Sequence, residues 1–178
     1  MRIISGKYKG RRFDPPKSFK ARPTTDMAKE SLFNVLNNDI DWEETSALDL
    51  FGGTGGISFE LVSRGCPRVV CVEKNFNHST FIEKTKGELK IQSEMALLKM
   101  DVFAYLDYCK EQFELIFADP PYDLKNFEEV PRMVFEKDLI KSDGIFILEH
   151  PRDYDFSNLA LFESKRVYGS VNFSIFRK

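Results

Sequence analysis

Two rhythms of apolar and polar residues alternate along the middle of this chain. Between residues 46 and 149, apolar runs too short for helices take turns with longer stretches that read as amphipathic helices. The first run, Ala47 to Phe51, leads into Gly52-Gly53-Thr54-Gly55-Gly56, and a helix is expected from Ile57 to Arg64, stopped by Gly65. Further strands are expected over Arg68 to Glu73, Ala96 to Met100, Phe113 to Ala118 and Gly144 to Glu149. Helices near Asn75 to Lys90, Val102 to Lys110 and Asn126 to Phe135 separate them. This alternation predicts an α/β, Rossmann-like architecture: a mostly parallel central sheet with helices on both faces. After residue 149 the rhythm changes. Leu159 to Tyr168 and Val171 to Arg177 flank Gly169-Ser170 and predict a C-terminal antiparallel hairpin. Ahead of the sheet, Thr24-Thr25-Asp26 offers caps for a helix with Met27, Ala28, Leu32, Phe33, Val35 and Leu36 on its apolar side. Residues 2 to 13 carry β-formers around Ser5-Gly6 and Gly10, the pattern of a short hairpin or extended arm.

An open parallel sheet binds ligands outside the carboxyl ends of its strands. The first four strands each end there with an acid: Asp49, Glu73, Asp101 and Asp119. The glycine loop after Asp49 lets a ligand approach the backbone and places it at a helix N-terminus. Glu73 follows Asp49 at about the offset at which an acid takes ribose hydroxyls in nucleotide-binding sheets. A dinucleotide fingerprint fails, because Ser58 stands where the third glycine belongs, and no Gly-Lys-Ser/Thr phosphate loop is present. Among adenosine ligands S-adenosylmethionine fits better: it has no phosphates and carries a sulfonium and an ammonium that acidic loops favour. A purely structural turn would use the same glycines.

Asp119-Pro120-Pro121-Tyr122 stands at the end of the fourth strand. Proline lacks an N–H and pushes its predecessor into an extended conformation, so two in succession hold Asp119 and Pro120 extended. A carboxylate, a backbone carbonyl and an aromatic face then converge on one spot. That combination suits a flat group bearing an N–H2, such as a nucleobase with an exocyclic amine. An ordinary turn is written in the same residues, since Asp-Pro and Pro-Pro commonly punctuate loops.

Composition changes this picture in one respect. The 178 residues, 42% apolar and 30% charged, suit one soluble domain. No run approaches the length that crosses a bilayer, and Met1-Arg2-Ile3-Ile4-Ser5 opens no secretory signal, so a cytoplasmic location without membrane contact is expected. Cys66, Cys71 and Cys109 show no Cys-x-x-Cys spacing, His78 and His150 are scattered, and no metal is expected. The net charge of −2, however, is unevenly spread: residues 1 to 22 balance at +7 and the remainder at −9. The sequence thus divides into a basic N-terminal arm, residues 1–22, and an acidic domain, residues 23–178. Such asymmetry suits an arm that meets a polyanion, although a solvated terminus would carry the same charges. Ile3, Ile4, Tyr8 and Phe13, interleaved with the charges, argue against a disordered tail.

Asp49-Leu50-Phe51-Gly52-Gly53-Thr54-Gly55-Gly56 together with Asp119-Pro120-Pro121-Tyr122 resembles the Rossmann-type S-adenosylmethionine-dependent amino-methyltransferases. Arg22-Pro23-Thr24-Thr25-Asp26 and the opening Arg2-Ile3-Ile4-Ser5-Gly6-Lys7-Tyr8-Lys9-Gly10-Arg11 narrow the likeness to the RsmD-like family, which methylates N2 of a guanine in bacterial 16S rRNA. The resemblance runs from residue 2 to the end. Gly52 departs from it, standing where the family usually has alanine, and so does Ser58, where glycine is frequent. The resemblance implies S-adenosyl-L-methionine as cofactor, held by Asp49, Phe51, Gly53, Thr54, Gly55, Glu73, Lys74, Asp101, Val102 and Asp119. Asp49, Gly53 and Gly55 would line the methionine end, Glu73 would hold the ribose and Asp101 would meet the adenine amine. Asp119, Pro120, Pro121 and Tyr122 would be the catalytic group around the target base. With the charge asymmetry, it assigns RNA contact to Arg2, Lys7, Lys9, Arg11, Arg12, Arg22, Thr24 and Thr25, although Thr25 is also sufficient as a helix cap. The implied partner is 16S rRNA within the small ribosomal subunit, met by a monomer. An adenine-N6 methyltransferase, a nucleotide-dependent oxidoreductase and a non-catalytic RNA-binding module stay open as alternatives at this point.

Overall fold

The computed structural model describes residues 1–16, 19 and 26–178. Seven strands form along the described chain: β1 Ser46–Asp49, β2 Arg68–Val72, β3 Met95–Leu98, β4 Phe113–Ala118, β5 Ile140–His150, β6 Phe162–Tyr168 and β7 Val171–Arg177. The helices are α1 Asp26–Leu36, α2 Gly56–Arg64, α3 Phe76–Leu89, α4 Val102–Tyr108 and α5 Glu129–Glu136. The strands join one sheet in the order β3-β2-β1-β4-β5-β7-β6. Strands β1 to β5 pair in parallel and β7 runs antiparallel to both β5 and β6. This is the α/β Rossmann-like architecture that the alternation predicts. Strand order reverses between β1 and β4, the position at which such sheets open a ligand crevice. The terminal hairpin also forms, with its second strand, β7, docked against β5.

Several boundaries differ from expectation: β1 and β3 end two residues early, β6 begins at Phe162 instead of Leu159, and two other shifts have a plain physical reason. Helix α5 begins at Glu129 instead of Asn126. Pro131 is then its third residue, inside the first turn, where a missing N–H costs nothing. Strand β5 begins at Ile140 instead of Gly144, because Ile140 pairs with Phe113 before the register shifts to Leu115 opposite Ile145. Asp143, at a φ of 62°, makes the bend between the two paired stretches.

Alternate residues of each strand point to opposite faces, and the sheet accordingly divides two apolar cores. One packs α1 and α2 through residues such as Leu32, Phe33, Phe59 and Leu61, with Ile82 of α3, against Ala47, Cys71, Phe117 and Ile147. The other packs α4 and α5 through Leu106, Val130 and Val134 against Leu48, Val70, Ile116 and Phe146. Among the described residues no helix is long and apolar enough to cross a membrane.

The N-terminal residues close into a hairpin-like turn, with an antiparallel bridge between Arg2 and Arg12 and Gly10 N–H donating to Ile3 O at 2.9 Å. This turn is fastened to the domain. Ile3 and Phe13 are buried in the first core. Glu60, fully buried on α2, accepts the Ile4 N–H at 2.7 Å and the Ser5 N–H at 3.0 Å. The same carboxylate pairs with Arg64 at 2.9 Å and Lys29 at 3.7 Å, and burial pulls the Lys29 pKa down against the attraction of Glu60. Gly6, at a φ of 80°, lies so close to α2 that a Cβ there would sit 1.7 Å from the Ser63 carbonyl oxygen. Lys7, Lys9, Arg11 and Arg12 are left facing solvent.

Candidate active site

The carboxyl edge of the sheet carries an acid at or just beyond each of five neighbouring strands. In spatial order they are Asp101 (β3), Glu73 (β2), Asp49 (β1), Asp119 (β4) and Glu149 (β5). All five line a cavity of about 740 Å³, a size suited to a small-molecule cofactor.

Asp49 closes β1 and is 1% exposed. Its Oδ2 accepts the Ser58 hydroxyl at 2.6 Å from the first turn of α2. Burial, which disfavours the charged form, pushes its pKa up to about 6; Ser58 opposes that rise and the charge of Glu73 adds to it. The loop between Asp49 and α2 is closed by the Gly55 N–H donating to Gly52 O at 2.6 Å. Gly55, at a φ of 79°, also opens α2, and a Cβ there would meet the Phe59 ring at 2.5 Å. Gly55 therefore shapes the loop from behind, whereas Gly53, Thr54 and Phe51 line the cavity.

Glu73 fastens that loop to the next strand end. Its Oε2 accepts the Gly53 N–H at 2.7 Å, its Oε1 accepts the Asn75 N–H at 2.6 Å, and His78 Nδ1 lies 3.6 Å from Oε2. Asp101 caps α4, accepting the Phe103 N–H at 2.9 Å, and its other oxygen meets Lys74 Nζ at 3.2 Å. Burial alone would raise the Asp101 pKa, but Lys74 and the backbone donors at the helix start outweigh it and hold the carboxyl below its usual range. Lys74 and Val102 line the same end of the cavity.

Asp119 to Tyr122 leave β4 directly into the cavity wall, and a turn from Pro121 O to the Leu124 N–H carries the chain away. Tyr122 is half exposed, and its hydroxyl donates to Glu149 Oε1 at 3.3 Å. Met1, Asp26 and Lys29 bring the N-terminal turn and α1 to the rim of the same space.

The structure thus brings together on one cavity Asp49, Phe51, Gly53, Thr54, Glu73, Lys74, Asp101 and Val102, and with them Asp119, Pro120, Pro121 and Tyr122. Lys7, Lys9, Arg11 and Arg12 do not line it; they stand on the exposed side of the N-terminal turn, and Arg2 faces Asp26 at 3.4 Å. Arg22, Thr24 and Thr25 lie outside the described residues. Sequence reasoning passed over Glu149, although it ends a strand as the other acids do. It also counted Ser58 only as a missing glycine, where the serine in fact supplies the hydrogen bond to Asp49. His78, read as scattered, lines the cavity beside Glu73 and packs on Phe19 with ring centroids 4.5 Å apart.

Residues 1–177 match the model of a family described as conserved hypothetical protein 95. The chain is similar to the ribosomal RNA small subunit methyltransferase D of Haemophilus influenzae, 30% identical over 86% of this chain and 80% of that protein. It is also similar to the Bacillus subtilis protein YlbH, provisionally named an rRNA methyltransferase, 29% identical over 100% of this chain and 99% of the relative. Among solved structures, a hypothetical protein of Thermus thermophilus superposes with a TM-score of 0.86 at 26% identity, covering 99% of this chain and 98% of that one.

Proposed function

The chain belongs to the conserved hypothetical protein 95 family, which includes the ribosomal RNA small subunit methyltransferases D, and from that premise we propose that it is an S-adenosylmethionine-dependent rRNA methyltransferase. Its target, on this reading, is the exocyclic N2 amine of a guanine in 16S rRNA, presented by an assembled or assembling small subunit in the cytoplasm. The observation that carries the reading is the shared cavity: the glycine loop, its strand-end acids and Asp119-Pro120-Pro121-Tyr122 all face one space.

The residues fit the cofactor. Asp49, Glu73 and Asp101 surround one end of the cavity with carboxyl groups, which favour a ligand bearing an ammonium and a sulfonium. Asp49 and the glycine loop hold the methionine end, Glu73 and Lys74 the ribose, and Asp101 with Val102 the adenine. When bound, S-adenosylmethionine would supply an activated methyl: the amine nitrogen would form the new N–C bond as the C–S bond breaks, S-adenosylhomocysteine would leave, and the amine's surplus proton would pass to water.

The chain's own contribution is orientation and charge. A base amine is a poor nucleophile because its lone pair is delocalised into the ring. Asp119 and the Pro120 carbonyl accept its two hydrogens, aim the nitrogen and stabilise the positive charge that develops on it. Pro121 keeps that carbonyl in place, and Tyr122 stacks on the base, a contact worth about 1–3 kcal/mol in single-strand binders. The base must be unstacked to reach them. Arg2, Lys7, Lys9, Arg11 and Arg12 contact phosphates and position the RNA, and Arg22, Thr24 and Thr25 share in that recognition.

The test is transfer of labelled methyl to small subunits, naked rRNA and duplex DNA in parallel, with the product digested to nucleosides. N2-methylguanosine from the small subunit is expected. Label in N6-methyladenine would overturn the target, and no label with cofactor bound would overturn the activity. Asp119→Ala is expected to abolish transfer while leaving cofactor affinity nearly unchanged; equal loss of both would refute the division of roles.

A further inference from the structure

Glu149 belongs to no role assigned so far, yet it occupies a defined place beside the target amine. Strands β4 and β5 are parallel neighbours whose last paired residues are Ala118 and Leu148. Asp119 and Glu149 each come one residue later, side by side at one strand spacing, about 4.8 Å. Strand alternation also puts them on one face: Phe117 and Ile147, two residues earlier, both belong to the first apolar core. Both acids line the cavity, and Glu149 is only 5% exposed. The Tyr122 hydroxyl, donating to Glu149 Oε1 at 3.3 Å, further ties this carboxylate to the Asp-Pro-Pro-Tyr segment.

We propose that Glu149 selects guanine, its carboxylate accepting the N1–H of the base while Asp119 accepts the adjacent N2 amine; this rests on the reading of Asp119 to Tyr122 as the base-holding segment. The chemistry of the two purines supports it. Guanine presents two donors in succession on its Watson–Crick edge, N1–H and the N2 amine. Adenine presents its amine beside N1, which is an acceptor. Two neighbouring carboxylates match the first edge, whereas against the second one of them faces a lone pair with no hydrogen between. A site built to receive a donor rejects a ligand that lacks it, because two acceptors are then brought face to face with no hydrogen between them.

The experiment uses small subunits rebuilt with 16S rRNA carrying either guanine or 2-aminopurine at the methylated position. 2-Aminopurine keeps the C2 amine and loses the N1 hydrogen. The wild-type enzyme is expected to favour guanine by about 10- to 100-fold in kcat/KM, the worth of one hydrogen bond to a charged group. Glu149→Gln, whose amide can turn either an oxygen or an N–H2 toward N1, is expected to shrink the preference below about threefold with S-adenosylmethionine affinity unchanged. The loss of O6 in 2-aminopurine weighs equally on both enzymes, so only the change between them reports on Glu149. Equal rates on the two bases with wild type would overturn the inference without any variant having to fold, and so would a full preference retained by Glu149→Gln. Failure of wild type to form N2-methylguanosine on guanine-bearing subunits would instead overturn the functional reading beneath it.

Discussion

Replacing Gly52 by alanine isolates the packing beneath the cofactor loop. The new Cβ would lie 2.4 Å from Cys71 Sγ, far inside contact distance, and 3.4 Å and 3.5 Å from Glu73 Cβ and Ile82 Cδ1, which are ordinary contacts. The sulfur is fully buried under the loop, and burial together with the nearby Asp49 charge pushes its pKa well up, so it stays a compact neutral thiol. Overpacking of this kind costs about 1–3 kcal/mol. Gly52 is not among the glycines with positive φ, so alanine otherwise gains about 0.4–1 kcal/mol by restricting the unfolded chain. Gly52→Ala alone should therefore destabilise by about 1–2 kcal/mol. In a Cys71→Ala background the obstructing atom is gone, and the same substitution should stabilise by about 0.4–1 kcal/mol, a coupling of about 2 kcal/mol. Urea denaturation of the four proteins, with unchanged m-values, measures this cycle. A coupling below about 0.5 kcal/mol would refute the idea that Cys71 fills the space an alanine methyl takes in the family that this sequence resembles.

Three further outcomes are expected. Because the folded Asp49 binds its proton at about pH 6 and an unperturbed carboxyl near 3.8, acidification through that window favours the folded chain but opposes a cationic ligand. S-adenosylmethionine affinity should consequently fall by up to about tenfold per pH unit below 6, which calorimetry in two buffers of different ionisation enthalpy would detect; an unchanged affinity from pH 7.5 to 5 would count against Asp49 as the ammonium's partner. Glu60→Ala leaves Lys29, Arg64 and two backbone N–H groups without their shared acceptor, and should cost about 3–5 kcal/mol in chemical denaturation, whereas a loss under about 1 kcal/mol would show that the N-terminal turn is held by other means. Neutralising Arg11 and Arg12 together should flatten the dependence of RNA affinity on salt by about 1.4–1.8 in log–log slope, and an identical slope would remove these two side chains from the RNA interface.

Much of this molecule was legible before its structure. The strand-end acids could be placed because a carboxyl after a short apolar run is a local signal, and all four named from it, Asp49, Glu73, Asp101 and Asp119, line one cavity. What escaped depends on contacts between distant residues. Glu60 reads as an exposed charge on an amphipathic helix, and only the docking of residues 4 and 5, some 55 positions away, explains its burial. Ser58 looks like a defect in a glycine pattern until the side chain of Asp49 is seen to need a donor. Glu149 carries the same strand-end signal as the other acids, but it closes the last strand of the alternation, and nothing local in the sequence places that strand beside β4. The start of β5 was hidden because Ile140 pairs across an irregular stretch that breaks the period-two rhythm.

The placement of β7 between β5 and β6 sets an order of events during synthesis. Space and sequence run in the same direction through most of the sheet's growth from β4 to β5, then exchange at the final pair. Strand β6 leaves the ribosome first, yet among the described residues its only strand partner is β7, so it must wait unpaired until Val171 to Arg177 follow it out. Until then the long apolar edge of β5 is also open, with Ile145 to His150 exposing the backbone groups that β7 will later take. A nascent chain stalled before Val171 therefore presents two unsatisfied strand edges at once, the condition under which parallel α/β chains pair with the wrong partner and aggregate.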